Sequence, residues 1–166
     1  MSNEEVVKSF ITALQSGDFE LAAGLMSDNF VAGGFTPDPL DKGEFLAMQS
    51  ELHDAMPDYD FHFSDIQEHE NGAEALIQIT GTHTRDLELP IFGLPLIPAT
   101  GLAVDLPQMH TQYRVTDGKI AEIRFESAPG SGLPGLLQQI GTELPVLPRL
   151  GTEDIRRLNE SGDTSI

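Results

Sequence analysis

The stretch LAVDLPQMHTQYRVTDGKIAEIRFES, residues 102–127, predicts a β-hairpin that turns at Asp117-Gly118. Asp-Gly between two segments of alternating polarity is a strong hairpin signal. A two-residue turn would place Arg114 beside Ala121 and would mix polar and apolar side chains on both faces. A three-residue loop, with the glycine in the left-handed conformation, keeps the two kinds of side chain apart. We therefore predict the three-residue loop.

This loop, residues 116–118, decides which side chains face each other across the hairpin. It pairs Val115 with Lys119, and the side chains beyond them then separate into an apolar and a polar face. The predicted inner-face pairs are Tyr113 with Ala121, Thr111 with Ile123, and Met109 with Phe125. The predicted outer-face side chains are His110, Gln112, Arg114, Glu122 and Arg124. We expect the inner face to line whatever pocket the protein has.

The composition excludes several kinds of partner and chemistry. The 166 residues include 27 acidic and 9 basic side chains, which gives a formal net charge of -18. Such a charge repels nucleic-acid backbones and anionic membranes, so we expect neither as a partner. The absence of cysteine excludes disulfides and thiol chemistry. We see no signal-peptide pattern and no apolar run that spans a bilayer, and we expect a cytoplasmic protein.

Three helices are predicted in the first third of the chain. Apolar residues at helical spacing predict a helix over residues 3–15 and a shorter one over 19–26. A third helix, residues 42–55, begins at a capping box formed by Asp41 and Glu44. The side chains expected to face inward are Leu21, Ala22 and Leu25 in the second helix, and Phe45, Met48, Leu52 and Met56 in the third.

Strands dominate the middle of the chain. We predict a strand over residues 59–68 and a long one over 73–86, joined at Asn71-Gly72, which is a second hairpin signal. Alternation turns one set of side chains inward, namely Ala75, Ile77, Ile79, Gly81, His83 and Arg85. Residues 87–107 form an apolar segment with four prolines. We expect this segment to fold over a pocket or to press against a partner subunit, because apolar side chains need a dry neighbour.

Helices followed by a meander of long strands indicate an α+β domain. A further short helix is predicted over residues 133–140. The chain is long enough for one good core, and we predict a single domain over residues 1–150. A polar, acidic tail over residues 151–166 follows it.

Five segments, taken in order, resemble the SnoaL-like polyketide cyclases, a family related to ketosteroid isomerase and nuclear transport factor 2. They are ALQSGDFELAAGLMSDNF, LDKGEFLAMQSELHDAMPDYDF, GTHTRD, IPATG and VTDGKIAEIRFE. The resemblance covers roughly residues 5–140. It implies a cone-shaped, curved antiparallel sheet wrapped around the N-terminal helices, an apolar pocket, and a homodimer that forms through the outer face of the sheet.

The resemblance also implies a position for the catalytic group. In these cyclases a pocket aspartate acts as acid and base, helped by polar residues on the neighbouring strand. When the shared DGKI turn is aligned, the aspartate falls on Phe125 and the helpers fall on Thr111 and Met109. Phenylalanine transfers no proton, so the resemblance implies the family's pocket without its catalytic aspartate.

His83 is the best remaining candidate for acid–base chemistry, because alternation turns it inward beside Arg85. The competing interpretation is a histidine that only hydrogen-bonds a backbone group or Tyr113, and this role is the more frequent one. Arg85 is the expected inward cation. The other histidines have no metal-ligand spacing, and we predict neither a metal site nor a cofactor.

Two functions are consistent with this sequence. The first is a pocket protein that binds a small apolar molecule, of polyketide-like or polycyclic type, without turnover. The alternative is a cyclase or an isomerase of the ketosteroid type, with His83 as acid and base. The predicted pocket residues are Phe10, Leu14, Phe30, Phe35, Met48, Leu52, Phe61, Phe63, His83, Arg85, Met109, Thr111, Tyr113 and Phe125.

Overall fold

A computed structural model describes residues 2–142 and confirms the predicted α+β class. Its helices are α1 (Asn3–Ser16), α2 (Phe19–Gly24), α3 (Lys42–Ala55) and α4 (Gly132–Gln139), with a short 3-10 helix at Pro90–Phe92. Its strands are β1 (Met26–Gly33), β2 (Leu40–Asp41), β3 (Ser64–His69), β4 (Gly72–Ile77), β5 (Thr80–Thr82), β6 (Ala103–Asp105), β7 (Met109–Thr116) and β8 (Lys119–Phe125). The predicted tail, residues 151–166, lies outside the described residues. No described helix has the length and apolarity needed to cross a bilayer, and the cytoplasmic location stays a prediction.

Six strands form one curved, unclosed sheet in the order β2-β1-β8-β7-β4-β3. Neighbouring strands are antiparallel except β1 and β8, which run parallel. Strands β5 and β6 pair separately as a two-stranded sheet. Helix α1 packs on β3, β4, β7 and β8, and α3 packs on β1 and β2. The core therefore lies between these two helices and the inner face of the large sheet.

The predicted start of α3 and the predicted α1 helix are confirmed, because their ends depend on local chemistry. The Asp41 side chain accepts a hydrogen bond from the Glu44 amide at 2.8 Å, and the Glu44 carboxylate accepts one from the Asp41 amide at 3.0 Å. Ser2 and Glu5 form the same capping box at α1. Helix α1 ends at Gly17, whose φ of 80° is left-handed.

Helix α2 is shorter than predicted. It ends at Gly24, and its C-cap is Leu25. Of the side chains predicted to face inward, Ala22 is buried, but 51% of Leu21 is exposed. A helix of six residues has little room for an inward stripe, because one face contributes only one or two side chains.

The hairpin of β7 and β8 turns differently from the prediction. Thr116 pairs with Lys119, so the turn contains two residues, Asp117 and Gly118. Both have positive φ, 53° and 74°, which a type I′ turn requires. The predicted three-residue loop is therefore wrong.

A two-residue turn with regular pairing would mix polar and apolar side chains on both faces of the hairpin. A β-bulge in β8 prevents this. Val115 pairs with Ile120 and Arg114 pairs with Glu122, which leaves Ala121 without a partner in β7. The partners of Tyr113 and Thr111 are each displaced by two residues in β8, and the partner of Val115 is displaced by one. The observed inner-face pairs include Tyr113 with Ile123 and Thr111 with Phe125. The predicted assignment of side chains to the two faces is nevertheless correct, because β7 is alternately buried and exposed along its whole length.

The predicted long strand, residues 73–86, consists of two shorter strands with different partners. Strand β4 pairs with β7, and after residues 78–79 the chain continues as β5 beside β6. Beyond β5 the strict alternation ends. His83 is buried, but Arg85 is exposed, so the expected inward cation is absent at this position. The predicted strand over residues 59–68 is likewise shorter, since β3 begins at Ser64.

The apolar segment, residues 87–107, is only partly covered by the rest of the described chain. Leu87, Leu89 and Ile97 are buried, and a pair of backbone hydrogen bonds joins Leu87 to Ile97. Other apolar side chains of this segment remain exposed, namely Ile91, Leu96 and Leu102. The segment thus closes part of the core with one set of side chains and presents another set to solvent.

Gly72 is a position where the sheet has no room for a side chain. A Cβ atom at residue 72 would overlap with the carbonyl oxygen of Tyr113 on the neighbouring strand. Gly72→Ala should therefore lower the free energy of unfolding by about 2 kcal/mol or more, because β4 and β7 must move apart. Gly24→Ala is the matched control, since a Cβ atom there meets nothing within 4 Å. Urea unfolding measures both, and equal stability of the two variants would contradict the argument.

Candidate functional site

The inner face of the sheet and helices α1 and α3 enclose a small cavity. Its volume is about 20 Å³. The lining residues are Phe10, Ile11, Leu14, Phe45, Gln49, Phe61, Ile77, Tyr113, Ile123 and Phe125. A cavity of this size holds about one water molecule. A polycyclic ligand of the kind suggested by the sequence requires side chains to move aside.

The periodicity of the surrounding elements brings the lining residues together. Phe10 and Leu14 are four residues apart on α1, as are Phe45 and Gln49 on α3, so each pair projects from one side of its helix. The Phe10 and Phe45 rings are stacked with centroids 6.4 Å apart. Strands β4, β7 and β8 contribute alternate residues from the opposite side.

Gln49 is the unexpected polar residue in this wall. Only 3% of its surface is exposed, and no hydrogen bond of its side chain is found among residues 2–142. Its amide atoms are not among the fully enclosed polar atoms that lack a partner, which are the Tyr59 hydroxyl oxygen and His83 Nε2. The sequence carried a signal for this residue that our prediction missed, because Gln49 lies four residues after Phe45 on the buried side of α3.

Tyr113 is the other polar residue of the wall, and its hydroxyl group is already bonded. The Thr111 hydroxyl has one proton, which it donates either to the Tyr113 hydroxyl oxygen at 2.8 Å or to the Ala75 carbonyl oxygen at 3.3 Å. Burial raises the pKa of Tyr113 far above its ordinary value, and the hydrogen bond from Thr111 lowers it only in part. The Tyr113 hydroxyl is therefore neutral at physiological pH.

The structure separates the predicted pocket residues into three groups. Those that line the cavity are Phe10, Leu14, Phe61, Tyr113 and Phe125. Those that are buried without lining it are Phe30, Phe35, Met48, Leu52, His83, Met109 and Thr111. The remaining two are Phe63, which is half-buried, and Arg85, which is exposed. Half of the predicted set therefore belongs to the core around the cavity and not to its wall.

His83 lies outside the cavity wall and is bonded to the apolar segment. Its Nδ1 atom is 2.9 Å from the Thr100 hydroxyl and accepts a hydrogen bond from the Thr100 amide at 3.3 Å. The His83 backbone also bonds to Leu102 and Gly101. Its Nε2 atom is buried and has no hydrogen-bond partner among residues 2–142. Burial lowers the pKa of His83, and the nearby Asp86 carboxylate offsets this only in part.

The outer face of the sheet carries a polar groove of about 300 Å³. Glu122 lies between two arginines, with its Oε1 atom 3.3 Å from Arg114 Nε and its Oε2 atom 4.0 Å from Arg124 Nε. At one side of the groove His69 Nε2 is 2.6 Å from Glu74 Oε2. Within residues 2–142 no three histidine, aspartate or glutamate side chains are grouped in a way that holds a metal ion.

A curved sheet wrapped around helices, with an apolar cavity between them, defines a class of cone-shaped α+β proteins. Within that class the sequence indicates one family, since a family model described as a SnoaL-like domain matches residues 7–123. The chain belongs to this SnoaL-like family. No curated protein matches it.

Solved structures of similar fold include several proteins from bacteria. AclR of Streptomyces galilaeus, a proposed hydroxylase, has a TM-score of 0.64 at 18% identity, over 84% of this chain and 95% of that one. IdmH of Streptomyces antibioticus, a proposed polyketide cyclase, has a TM-score of 0.63 at 22% identity. The match covers 86% of this chain and 100% of that one. A proposed polyketide cyclase of Pseudomonas putida has a TM-score of 0.61 at 22% identity. The match covers 84% of this chain and 98% of that one. At these identities the similarity concerns the fold.

The lowered pKa of His83 predicts how stability depends on pH. The folded chain keeps this imidazole neutral below its ordinary pKa of 6.5, where the unfolded chain takes up a proton. Stability should therefore be complete above about pH 6.5 and decrease as the pH falls below it. We expect His83→Gln to reduce the slope of unfolding free energy against pH between about pH 7.5 and 5.5.

Urea unfolding at several pH values measures this slope. His110→Gln is the matched control, because it removes an imidazole from the exposed outer face. The control should keep the wild-type slope. Identical slopes for wild type and His83→Gln would show that His83 does not link folding to protonation.

Proposed function

We propose that this SnoaL-like domain binds a small, neutral and mainly apolar molecule at the inner cavity without converting it. One observation carries the proposal: among residues 2–142, no carboxylate and no imidazole lines the cavity. Tyr113 is its one ionisable lining residue in the described part of the chain, and burial raises its pKa. Acid–base catalysis needs a group that ionises near the working pH. The wall offers apolar contact and neutral hydrogen bonding instead.

Phe125 supports the same proposal. It lines the cavity at the position where our alignment places the cyclase aspartate, and its ring centroid is 5.1 Å from that of Phe35. An aromatic pair at this place provides a flat apolar surface. The proposed cyclase activities of related structures favour a ligand of polyketide type, which is flat and rich in carbon.

The small cavity requires a movement of the wall on binding. Phe125 is the residue best placed to move, because it is half-buried at the last position of β8 while most other lining residues are buried. Rotation of its ring would join the cavity to the space that the ring now occupies. Apolar surface of the ligand that is then removed from water gains about 25 cal/mol per Å².

The alternative function, a cyclase or isomerase that uses His83, has less support. His83 does not line the inner cavity, and its Nδ1 atom already accepts a hydrogen bond from Thr100. A general base must reach the proton that it removes, directly or through one water. We therefore favour binding over catalysis.

A neutral bicyclic probe tests the binding proposal. Addition of 2-methylnaphthalene to ¹⁵N-labelled protein should shift the backbone amide signals of Ile77, Tyr113 and Ile123, which surround the cavity. Naphthalene-2-sulfonate, with the same rings and a negative charge, should cause no such shifts, because no cation lines the cavity. Phe125→Ala should bind the neutral probe several-fold more tightly, because the ring no longer has to move.

Phe19→Ala is the matched control for this experiment. Phe19 is also a half-buried phenylalanine, but its ring packs on His53 and does not line the cavity. The control should leave the affinity for 2-methylnaphthalene unchanged. Absence of shifts at the cavity amides in both wild type and Phe125→Ala would refute the proposed function.

We also propose that two copies of the chain associate through the outer face of the sheet. The groove there displays both signs of charge, with Arg114 and Arg124 beside Glu122 and Glu74. A two-fold axis brings a surface against itself, so a mixed surface can place arginines of one copy against glutamates of the other.

Sedimentation of a charge variant tests this association. Wild-type protein should sediment as a dimer at micromolar concentration, and Arg124→Glu should be a monomer because three carboxylates then share the groove with one arginine. Lys8→Glu is the control, since Lys8 is an exposed residue of α1 paired with Glu4. A monomeric wild-type protein would rule out the association.

A further inference from the structure

We infer that Gln49 is the ligand-recognition group of the inner cavity, and that it selects molecules that carry one neutral oxygen group, a hydroxyl or a carbonyl. This inference rests on the proposed function, since it names the chemical class of molecule that the cavity binds. Neither the sequence pattern nor the related structures assign a role to this residue.

The first step of the argument is the unpaired state of the amide. Gln49 is 3% exposed and lines the cavity, and no hydrogen bond of its side chain is found among residues 2–142, although its amide atoms are not among the fully enclosed polar atoms that lack a partner. Buried polar side chains in folded proteins are almost always hydrogen-bonded, so an exception calls for a partner that enters the site. The side chain reaches the cavity from α3, opposite the strands that carry Tyr113 and Phe125.

The second step is that Tyr113 is the one other polar side chain of the wall in residues 2–142. Its hydroxyl group already forms one hydrogen bond, with the Thr111 hydroxyl at 2.8 Å, and keeps capacity for a second. All the remaining lining side chains are aliphatic or phenyl groups. Gln49 therefore provides most of the free hydrogen-bonding capacity of the wall in residues 2–142, because a carboxamide offers two donor hydrogens and an acceptor oxygen.

The third step concerns the charge of the ligand. A carboxamide offers a carbonyl oxygen as acceptor and an NH₂ group as donor, so it binds a hydroxyl through either atom and a carbonyl through its NH₂ group. It carries no charge to offset that of a buried anion. No lysine, arginine or histidine lines the cavity, and the chain has a formal net charge of -18. A carboxylate or a phosphate is thus disfavoured, and a neutral oxygen group fits.

A bound water molecule is the competing occupant, because about 20 Å³ holds one water. In that case the amide would have a structural role and would not discriminate between ligands. The two possibilities differ in one measurable respect. A recognition group distinguishes a ligand with an oxygen from the same ligand without it.

The experiment compares 2-naphthol with 2-methylnaphthalene, which have similar shapes and differ by a hydroxyl in place of a methyl group. The dissociation constants of both probes are measured for wild type, Gln49→Leu and Gln49→Met by the amide shifts of the cavity residues. For each protein we take the ratio of the dissociation constant of 2-methylnaphthalene to that of 2-naphthol. Comparing this ratio between a variant and wild type cancels the difference in hydration of the two probes, because that difference is the same for every protein. We expect the preference for 2-naphthol to fall about fivefold or more in both variants.

Gln78→Leu is the matched control. Gln78 is a half-buried glutamine whose amide donates to Asp105 at 2.9 Å, outside the cavity. The control should keep the wild-type ratio.

The outcomes separate this inference from the proposed function. If both probes shift the cavity amides but the ratio is the same in wild type and the Gln49 variants, the proposed function holds and Gln49 only bonds a water. If 2-naphthol binds and the preference is lost in the variants, the inference holds. If neither probe shifts the cavity amides, the proposed function fails and the inference fails with it. Circular dichroism of the variants confirms that they remain folded.

Discussion

Burial of one face of β7 and β8 is the constraint on which the rest of the structure depends. Asp117-Gly118 forms a two-residue turn because both positions accept positive φ. Regular pairing from that turn would place Arg114 opposite Ala121 and turn charged side chains into the core. The bulge adds one residue to β8 and returns Ile123 and Phe125 to the inner face. The free energy of burying this face outweighs the loss of one regular pair.

The bulge also determines what surrounds the cavity. It sets Thr111 opposite Phe125 and Tyr113 opposite Ile123, so that three side chains of the wall come from one patch of the hairpin. Helices α1 and α3 cover this patch from the other side and contribute the stacked rings of Phe10 and Phe45. The cavity is therefore a small void between closely packed side chains, and its shape changes when these rings move.

The sequence predicted those features that depend on local periodicity. The α3 start and the two faces of the hairpin follow from neighbouring residues, and they were correct. The alternation of polar and apolar residues did not predict the register of the hairpin. A bulge shifts the cross-strand pairs but leaves this alternation unchanged in the residues before and after it. Arg85 was misplaced for a related reason, since the alternation was extended past the end of β5. Gln49 could have been identified from the sequence, because it lies on the same helical face as the apolar residues of α3. Our prediction considered only the apolar residues of that face and therefore missed it.

The SnoaL-like family establishes the fold of this chain, and the wall of the cavity limits its chemistry. A cyclase needs a group that gives and takes a proton, and Phe125 occupies the position that our alignment assigns to that group. A buried amide is different, because it binds without exchanging protons and its unpaired state costs free energy until a partner arrives. A wall with phenylalanine at residue 125 and with a glutamine side chain that has no hydrogen bond among residues 2–142 therefore fits the proposed binding site, in which the ligand supplies the missing hydrogen bond.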